Sequence, residues 1–432
     1  MYIGSIGGFL FGYDLGVISQ ALPLLTNQFS LSIEQQELFS SLILAGQIFG
    51  SLMGGYICDK IGRKGTIFFV CIIFIIGSCI LTFADELTTL YVGRFIVGIG
   101  VAISAIADVS YLTEVSPDRH RGAMVGANEL MITIGLLGAY IFGFVLSGSI
   151  EGWRRMFALP IFISVIWMIM MFFLPESPKW LLIQGKVEKA QAVYNDRVDT
   201  ESEAQEDFQN ACDQVAKAKE AEKLSLFEII HFWRYSIITS ILILLAQNLS
   251  GHISVLTYAP AIFKAAGFGR QGAGIATIVL GVIKVIFTFT SMNLVDAVGR
   301  KSVLMTGIVG IIVSLIGIIS SVETFSIDQS GADDDSGDAS AVAGGSGVIT
   351  SVFVCILVAS FALGYGPLSW LISSELFPDD IRGRALGMVT IANGLGSLVA
   401  VSSFLSMVAA LGAQLTFAVY LVSQVVKVVV VI

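Results

Sequence analysis

Four charged residues, Asp14, Arg94, Glu129 and Lys284, stand inside stretches that are otherwise apolar. A charge at the centre of a bilayer costs roughly 2.5–3.5 kcal/mol on insertion scales, so each is read as functional or paired. The stretch Gln247–Pro260, QNLSGHISVLTYAP, is also polar for its surroundings. Gly251, Ser254 and Tyr258 follow Gln247 by 4, 7 and 11 residues, the spacing of one stripe along a helix. Such a stripe can wall a water-filled, hydrogen-bonding cavity, or its Ser and Gly residues can hold helices together. Gln247, Asn248 and Tyr258 favour the cavity. Glu129, Thr133 and Tyr140 likewise share one helix face.

A second group of charges is duplicated. DKIGRKG (Asp59–Gly65) matches DAVGRKS (Asp296–Ser302), and EVSPDRHRG (Glu114–Gly122) matches ELFPDDIRG (Glu375–Gly383). Asp59, Arg63, Glu114 and Arg121 are thereby mirrored by Asp296, Arg300, Glu375 and Arg382, and Glu176 of PESP is expected to join them. Opposite charges at helix ends on one membrane face suit a gate. Each exposed pair is worth about 0–1 kcal/mol. A network that forms in one state and breaks in the other biases an equilibrium by more.

The elements that position these groups are membrane helices. The 432 residues are 55% hydrophobic and 13% charged, which excludes an ordinary soluble globule. Twelve apolar runs can span a bilayer: 2–24, 38–57, 65–84, 88–112, 122–146, 154–174, 235–263, 271–295, 302–322, 347–373, 385–409 and 413–432. Lys60, Arg63 and Lys64, Arg119 and Arg121, Arg300 and Lys301, and Arg382 and Arg384 fall in alternate loops. That asymmetry makes those loops, and both termini, cytoplasmic. Residues 176–232 form a charged amphipathic linker between six spans and six, expected to be helical and solvated. The division is therefore 1–175, an amino-terminal six-helix bundle; 176–232, the linker; and 233–432, a carboxy-terminal six-helix bundle. The repeats are 55 residues apart in the first half and 79 in the second, and the excess matches the acidic, Ser/Gly-rich stretch 323–346. That stretch is expected to be an extracellular loop insertion.

The net charge of -9 shows no basic surface for nucleic acid. The five cysteines have no metal spacing, and no nucleophile–base pair or phosphate loop appears, so neither a metal site, a bound cofactor nor an enzyme is expected. An all-α membrane protein of two pseudo-symmetric six-helix halves is the pattern of a secondary transporter, which binds its substrate between the halves.

The chain resembles the sugar porter branch of the major facilitator superfamily along essentially its whole length. The resemblance rests on GFLFGYDLGVISQAL, DKIGRKG, VGRFIVGIG, the Glu114–Gly122 box, GWRRM, PESPKWL, the Gln247 stretch, DAVGRK and GPLSWLISSELFPDDIRGRA, all in order. Within the branch, NELMITIGLLGAY (Asn128–Tyr140) looks most like the third class of animal facilitative glucose transporters and like plant polyol and monosaccharide symporters. The resemblance implies that Gln247, Asn248 and Asn393 bind sugar hydroxyls, that Trp370 stacks on the sugar, and that Tyr258 closes the outer side. Gly364, Gly366 and Pro367 just ahead of Trp370 predict a broken, mobile helix. The resemblance places Asp14 and Arg94 where symporters couple proton binding to transport, with the proton as coupling ion. Glu129 and Lys284, by family position, face the cavity from opposite halves and either pair or hold the ligand. Five departures stand out: Asn248 for a second glutamine, Ile253 for an asparagine, Gly394 for a tryptophan, Lys284 for an asparagine, and Glu129 for a glutamine. A hexose or polyol carried with protons across a plasma membrane by alternating access is the function implied. A uniporter and a non-transporting sugar sensor are the alternatives.

Overall fold

The computed structural model describes residues 5–116, 121–149, 151–196, 201–221, 226–321 and 345–431. No strand occurs among them. The first half contains α1 (Ile6–Phe29), α2 (Ile33–Ile61), α3 (Arg63–Thr82), α4 (Leu87–Val115), α5 (Arg121–Leu146) and α6 (Gly152–Phe172). Three helices connect the halves: α7 (Pro178–Ile183), α8 (Val187–Asn195) and α9 (Glu201–Ala221). The second half contains α10 (Leu226–Asn248), α11 (His252–Thr257), α12 (Ala259–Ala265), α13 (Arg270–Val298) and α14 (Arg300–Ser321). It ends with α15 (Gly345–Leu363), α16 (Tyr365–Glu375) and α17 (Asp379–Val431).

These elements make twelve crossings. α1 to α6 are one crossing each; α10 to α12 form one interrupted crossing, and α15 with α16 another. α17 is two crossings joined at Gly412, whose φ of 81° and ψ of 161° no helix tolerates. The chain is thus an integral, multi-pass, all-α membrane protein with two six-helix bundles and a helical linker. Large apolar side chains such as Phe49, Leu52, Phe172 and Val422 point outward, as they do when lipid is the solvent. The acidic stretch 323–346 lies almost wholly outside the described residues.

Local sequence sets the ends of the elements. Ser32 caps α2 through Gln35 in a reciprocal capping box, and Ser177 caps α7 ahead of Pro178. The duplication is visible in the backbone. Gly62 (φ 85°, ψ 165°) separates α2 from α3, and Gly299 (φ 89°, ψ 151°) separates α13 from α14. Only glycine adopts that conformation at low cost. Both glycines come from the repeated D-x-x-G-R-K sequence.

The bundles meet along two seams, α5 against α13 and α2 against the first arm of α17. On the face opposite the Arg63 loop the seams are bridged directly. Tyr140 Oη of α5 donates to Leu256 O of α11 at 3.1 Å, and Arg270 of α13 donates to Ser147 O at 2.8 Å. The linker helices pack through Leu181, Ala190, Tyr194, Ala211 and Val215.

Candidate functional site

The polar stretch of the seventh crossing is not one continuous stripe. The chain turns at Gly251, with φ of 77°, between α10 and α11. A side chain at that position would press into the Tyr420 ring at 2.7 Å. The interruption frees main-chain groups that water cannot reach, and the second arm of α17 satisfies them. Gln424 Nε2 donates to Ala246 O at 3.0 Å, and Ser423 Oγ to Leu249 O at 2.8 Å. Ser423 and Gln424 were invisible to sequence reasoning, because their partners lie more than a hundred residues away.

The break divides the stripe between its two readings. Ser254 Oγ donates to Ala400 O at 3.0 Å and Tyr258 Oη to Val401 O at 3.2 Å; both hold α11 and its flank to α17. Tyr258 is buried and stacks on Phe404. Gln247 is half-buried, and its Oε1 has no partner.

Asn248 and Asn393 are brought together. Asn248 Nδ2 donates to Asn393 Oδ1 and to Asn393 O, both at 2.9 Å, and its Oδ1 accepts from Ser397 Oγ at 2.8 Å. The shorter side chain, in place of the family's second glutamine, is spent on positioning Asn393. Asn393 and Gln247 stay half-buried. Gly394 has its own reason: a Cβ there would meet Ile48 Cγ1 of α2 at 2.9 Å, so a bulky residue would not fit this seam.

Trp370 sits on α16, half-buried, against a cluster that includes Ile237, Leu244 and Phe377. The break ahead of it falls at Gly364, which approaches Gly307 of α14 so closely that only glycine fits on either side. Glu129 of α5 and Lys284 of α13 face each other across the first seam, near enough for their charges to interact. They do not close to a direct ion pair. Both are half-buried. His252 of α11, stacked on Phe361 at 3.4 Å between ring centroids, lies beside Lys284 with its Nε2 unpartnered.

Asp14 and Arg94 are buried at 1% and 0% exposure and adjoin, but not as the ion pair expected. Arg94 Nη1 donates at 3.3 Å to the main-chain oxygen of Asp14. Asp14 Oδ2, Arg94 Nε and Arg94 Nη2 have no hydrogen-bond partner, and the guanidinium rests over the Phe39 ring. The backbone contact is the shorter reach from α4 to α1 in this arrangement. A cavity of about 10 Å³ beside Arg94, between Ser40, Ile253 and Thr257, has room for about one water.

Sequence reasoning missed a further intramembrane acid, Asp108 of α4. It is 1% exposed, accepts from Ser104 Oγ at 2.6 Å, and packs on Gly7 of α1 so tightly that a Cβ there would overlap its carboxyl. The signal was present: an acid inside an apolar run, the criterion that singled out Asp14.

The charged network is well formed in the first half. Arg63 Nη2 donates to Glu114 Oε1 at 2.9 Å, and its Nη1 to Asp59 Oδ1 at 3.2 Å. Ser177 Oγ donates to the other Glu114 oxygen. Glu176 Oε1 accepts from the main-chain N–H of Lys64 at 2.9 Å, the first turn of α3, where an anion complements the helix dipole. A side chain at Gly62 would collide with that carboxylate. In the second half Arg300 contacts Glu375, both half-exposed. The side chains of Arg121, Asp296 and Arg382 lie outside those described.

These features, two six-helix bundles with a charged network on one face, have matches among known proteins. The family model described as "Sugar (and other) transporter" matches residues 1–432. The chain belongs to the sugar transporter family. Among relatives, the probable metabolite transport protein CsbC of Bacillus subtilis (strain 168) is 34% identical, over 97% of this chain and 87% of the relative. The arabinose-proton symporter of the same organism is 30% identical over 90% of this chain and 80% of the relative. A structure of the xylose transporter XylE from E. coli, in a partially occluded inward open conformation, superposes with a TM-score of 0.81 at 24% identity. That alignment covers 98% of this chain and 94% of XylE, and supports the major facilitator fold. As a member of the sugar transporter family the chain is a membrane transporter rather than an enzyme.

Proposed function

We propose that this chain is a proton-coupled symporter for a monosaccharide or polyol, working by alternating access. The observation that carries the reading is the pairing of Asp14 with Arg94. Both are fully buried, their side chains adjoin, and yet the carboxylate is not locked to the guanidinium. A structural ion pair would be closed, because an unclosed buried pair leaves two desolvated charges uncompensated. A switch must open and close at little cost. When Asp14 takes a proton, Arg94 loses its counter-charge and α1 can repack on α4.

The substrate is proposed to lie between the halves. Gln247, Asn393 and Trp370 come from the second half and Glu129 from the first, with Lys284 opposite Glu129. Asn248 and Tyr258 act here by positioning. An acid opposite a lysine, amides and an amphipathic ring suit a neutral ligand rich in hydroxyls: the amides and the carboxylate meet its O–H groups, and the indole meets a C–H face. The duplicated charges form the gate on the face of the Arg63 loop. The basic residues support a cytoplasmic assignment of that face, with the termini on the same side, and the family resemblance supports a plasma membrane. The arabinose-proton symporter among the relatives is consistent with coupling.

The test is uptake of labelled hexoses, pentoses and polyols into proteoliposomes holding this protein, with and without an inward proton gradient. Gradient-stimulated accumulation of one of these supports the reading. Uptake indifferent to the gradient makes it a uniporter, and binding without uptake makes it a sensor.

A further inference from the structure

On the face opposite the Arg63 loop, α2 begins with its capping box and then presents Glu37 inward. Glu37 is 4% exposed, yet neither of its oxygens is bonded within its own bundle. Oε1 accepts from the main-chain N–H of Ser406 at 2.7 Å, and Oε2 accepts from Ser406 Oγ at 2.5 Å. Ser406 lies on the first arm of α17, in the other half. One carboxylate thus takes two charge-assisted bonds, the stronger class of hydrogen bond, across the seam. The neighbouring cross-half bonds on this face, Tyr140 to Leu256 and Arg270 to Ser147, use main-chain acceptors, so Glu37 supplies a side-chain anion to the seal. Separation of α2 from α17 at this end must break both Glu37 bonds at once. Below Glu37 lies the small cavity that Arg94 shares with Ser40 and Thr257.

We propose that Glu37 is the latch of the outer gate. Its two-point hold on Ser406 keeps the path from the face opposite the Arg63 loop closed, and must release before substrate enters from that face. This rests on the alternating-access reading and names a residue that sets its equilibrium. Glu37 touches no substrate; it is a positioning residue for the closed state.

The experiment reads conformation directly. The parent is Thr257→Cys, buried at 7% beneath the latch and labelled with a membrane-impermeant thiol reagent applied to that face, after subtraction of the labelling of the native cysteines alone. Glu37→Gln keeps the shape and removes the charge. Because hydrogen bonds to charged groups contribute more than neutral ones, labelling should rise about tenfold. Ser406→Ala, which keeps the main-chain N–H, should raise it by a smaller factor, and serves as second variant if Glu37→Gln folds poorly. Glu37→Asp should fall between parent and Glu37→Gln. Labelling rates equal to the parent in both Glu37→Gln and Ser406→Ala would overturn the latch. Labelling needs no transport: a latch effect in a protein with no proton-driven uptake would uphold the latch and reject symport. Proton-driven uptake with unchanged labelling would do the reverse.

Discussion

The Asn248–Asn393 contact makes a sharp claim about how a family position works in this chain. If Asn248 acts by holding Asn393, Asn248→Ala breaks both bonds, at 2.9 Å each, whereas Asn393→Ala removes the side chain that is held and leaves only the main-chain acceptor. In membranes such bonds contribute about 0.6 kcal/mol on average, and in water about 1 kcal/mol. Two of them amount to roughly 1.2–2 kcal/mol, or about 8- to 30-fold in affinity if the loss falls on the site. Asn248→Ala should weaken substrate binding by that factor in the native chain. In an Asn393→Ala background, where nothing remains to be positioned, it should cost little. The assay is equilibrium binding of the transported sugar in detergent to the four members of the cycle. Additivity within about 0.5 kcal/mol would refute the reasoning and return Asn248 to direct contact with the ligand.

Other outcomes follow from the same geometry. Arg63→Ala leaves the Glu114 carboxylate, 12% exposed, without its partner and should lower the melting temperature strongly; breaking such a pair costs about 3–5 kcal/mol. Arg300→Ala, at a half-exposed pair, should change it little, by about 0–1 kcal/mol. Gly251→Ala, at φ of 77° against the Tyr420 ring, should impair folding and binding, whereas Gly185→Ala, at φ of 74° with open space around it, should carry only the backbone penalty of about 1–2 kcal/mol. Glu129→Gln should change the ranking of substrates in a competition assay, and an unchanged affinity and ranking would remove Glu129 from the site.

Much of this was legible in the sequence because it is repetitive or periodic. The paired D-x-x-G-R-K segments announce the duplication, and the fold places Gly62 and Gly299 at equivalent turns with near-identical backbone angles. Arg63, Glu114 and Glu176 assemble as their clustering at helix ends suggests. Helical spacing failed at Gln247–Tyr258 because a single glycine turns the helix, and periodicity carries no record of φ. It also failed where partners are distant. Asn248 and Asn393, and Gln424 and Ala246, meet only when α17 packs on α10 within the second half, and Glu37 and Ser406 only when the two halves meet. The Asp14–Arg94 neighbourhood was foreseen from the family resemblance, but not that the bond would go to the main chain. Asp108 was legible and overlooked.

Proton coupling through Asp14 is the central claim, and proton movement tests it most directly. Substrate is added to de-energised proteoliposomes in weakly buffered medium while external pH is recorded. Symport predicts that substrate uptake alkalinises the medium, and that Asp14→Asn abolishes the pH change while leaving substrate exchange across the membrane intact. Substrate uptake with no pH change in the native protein would contradict the account.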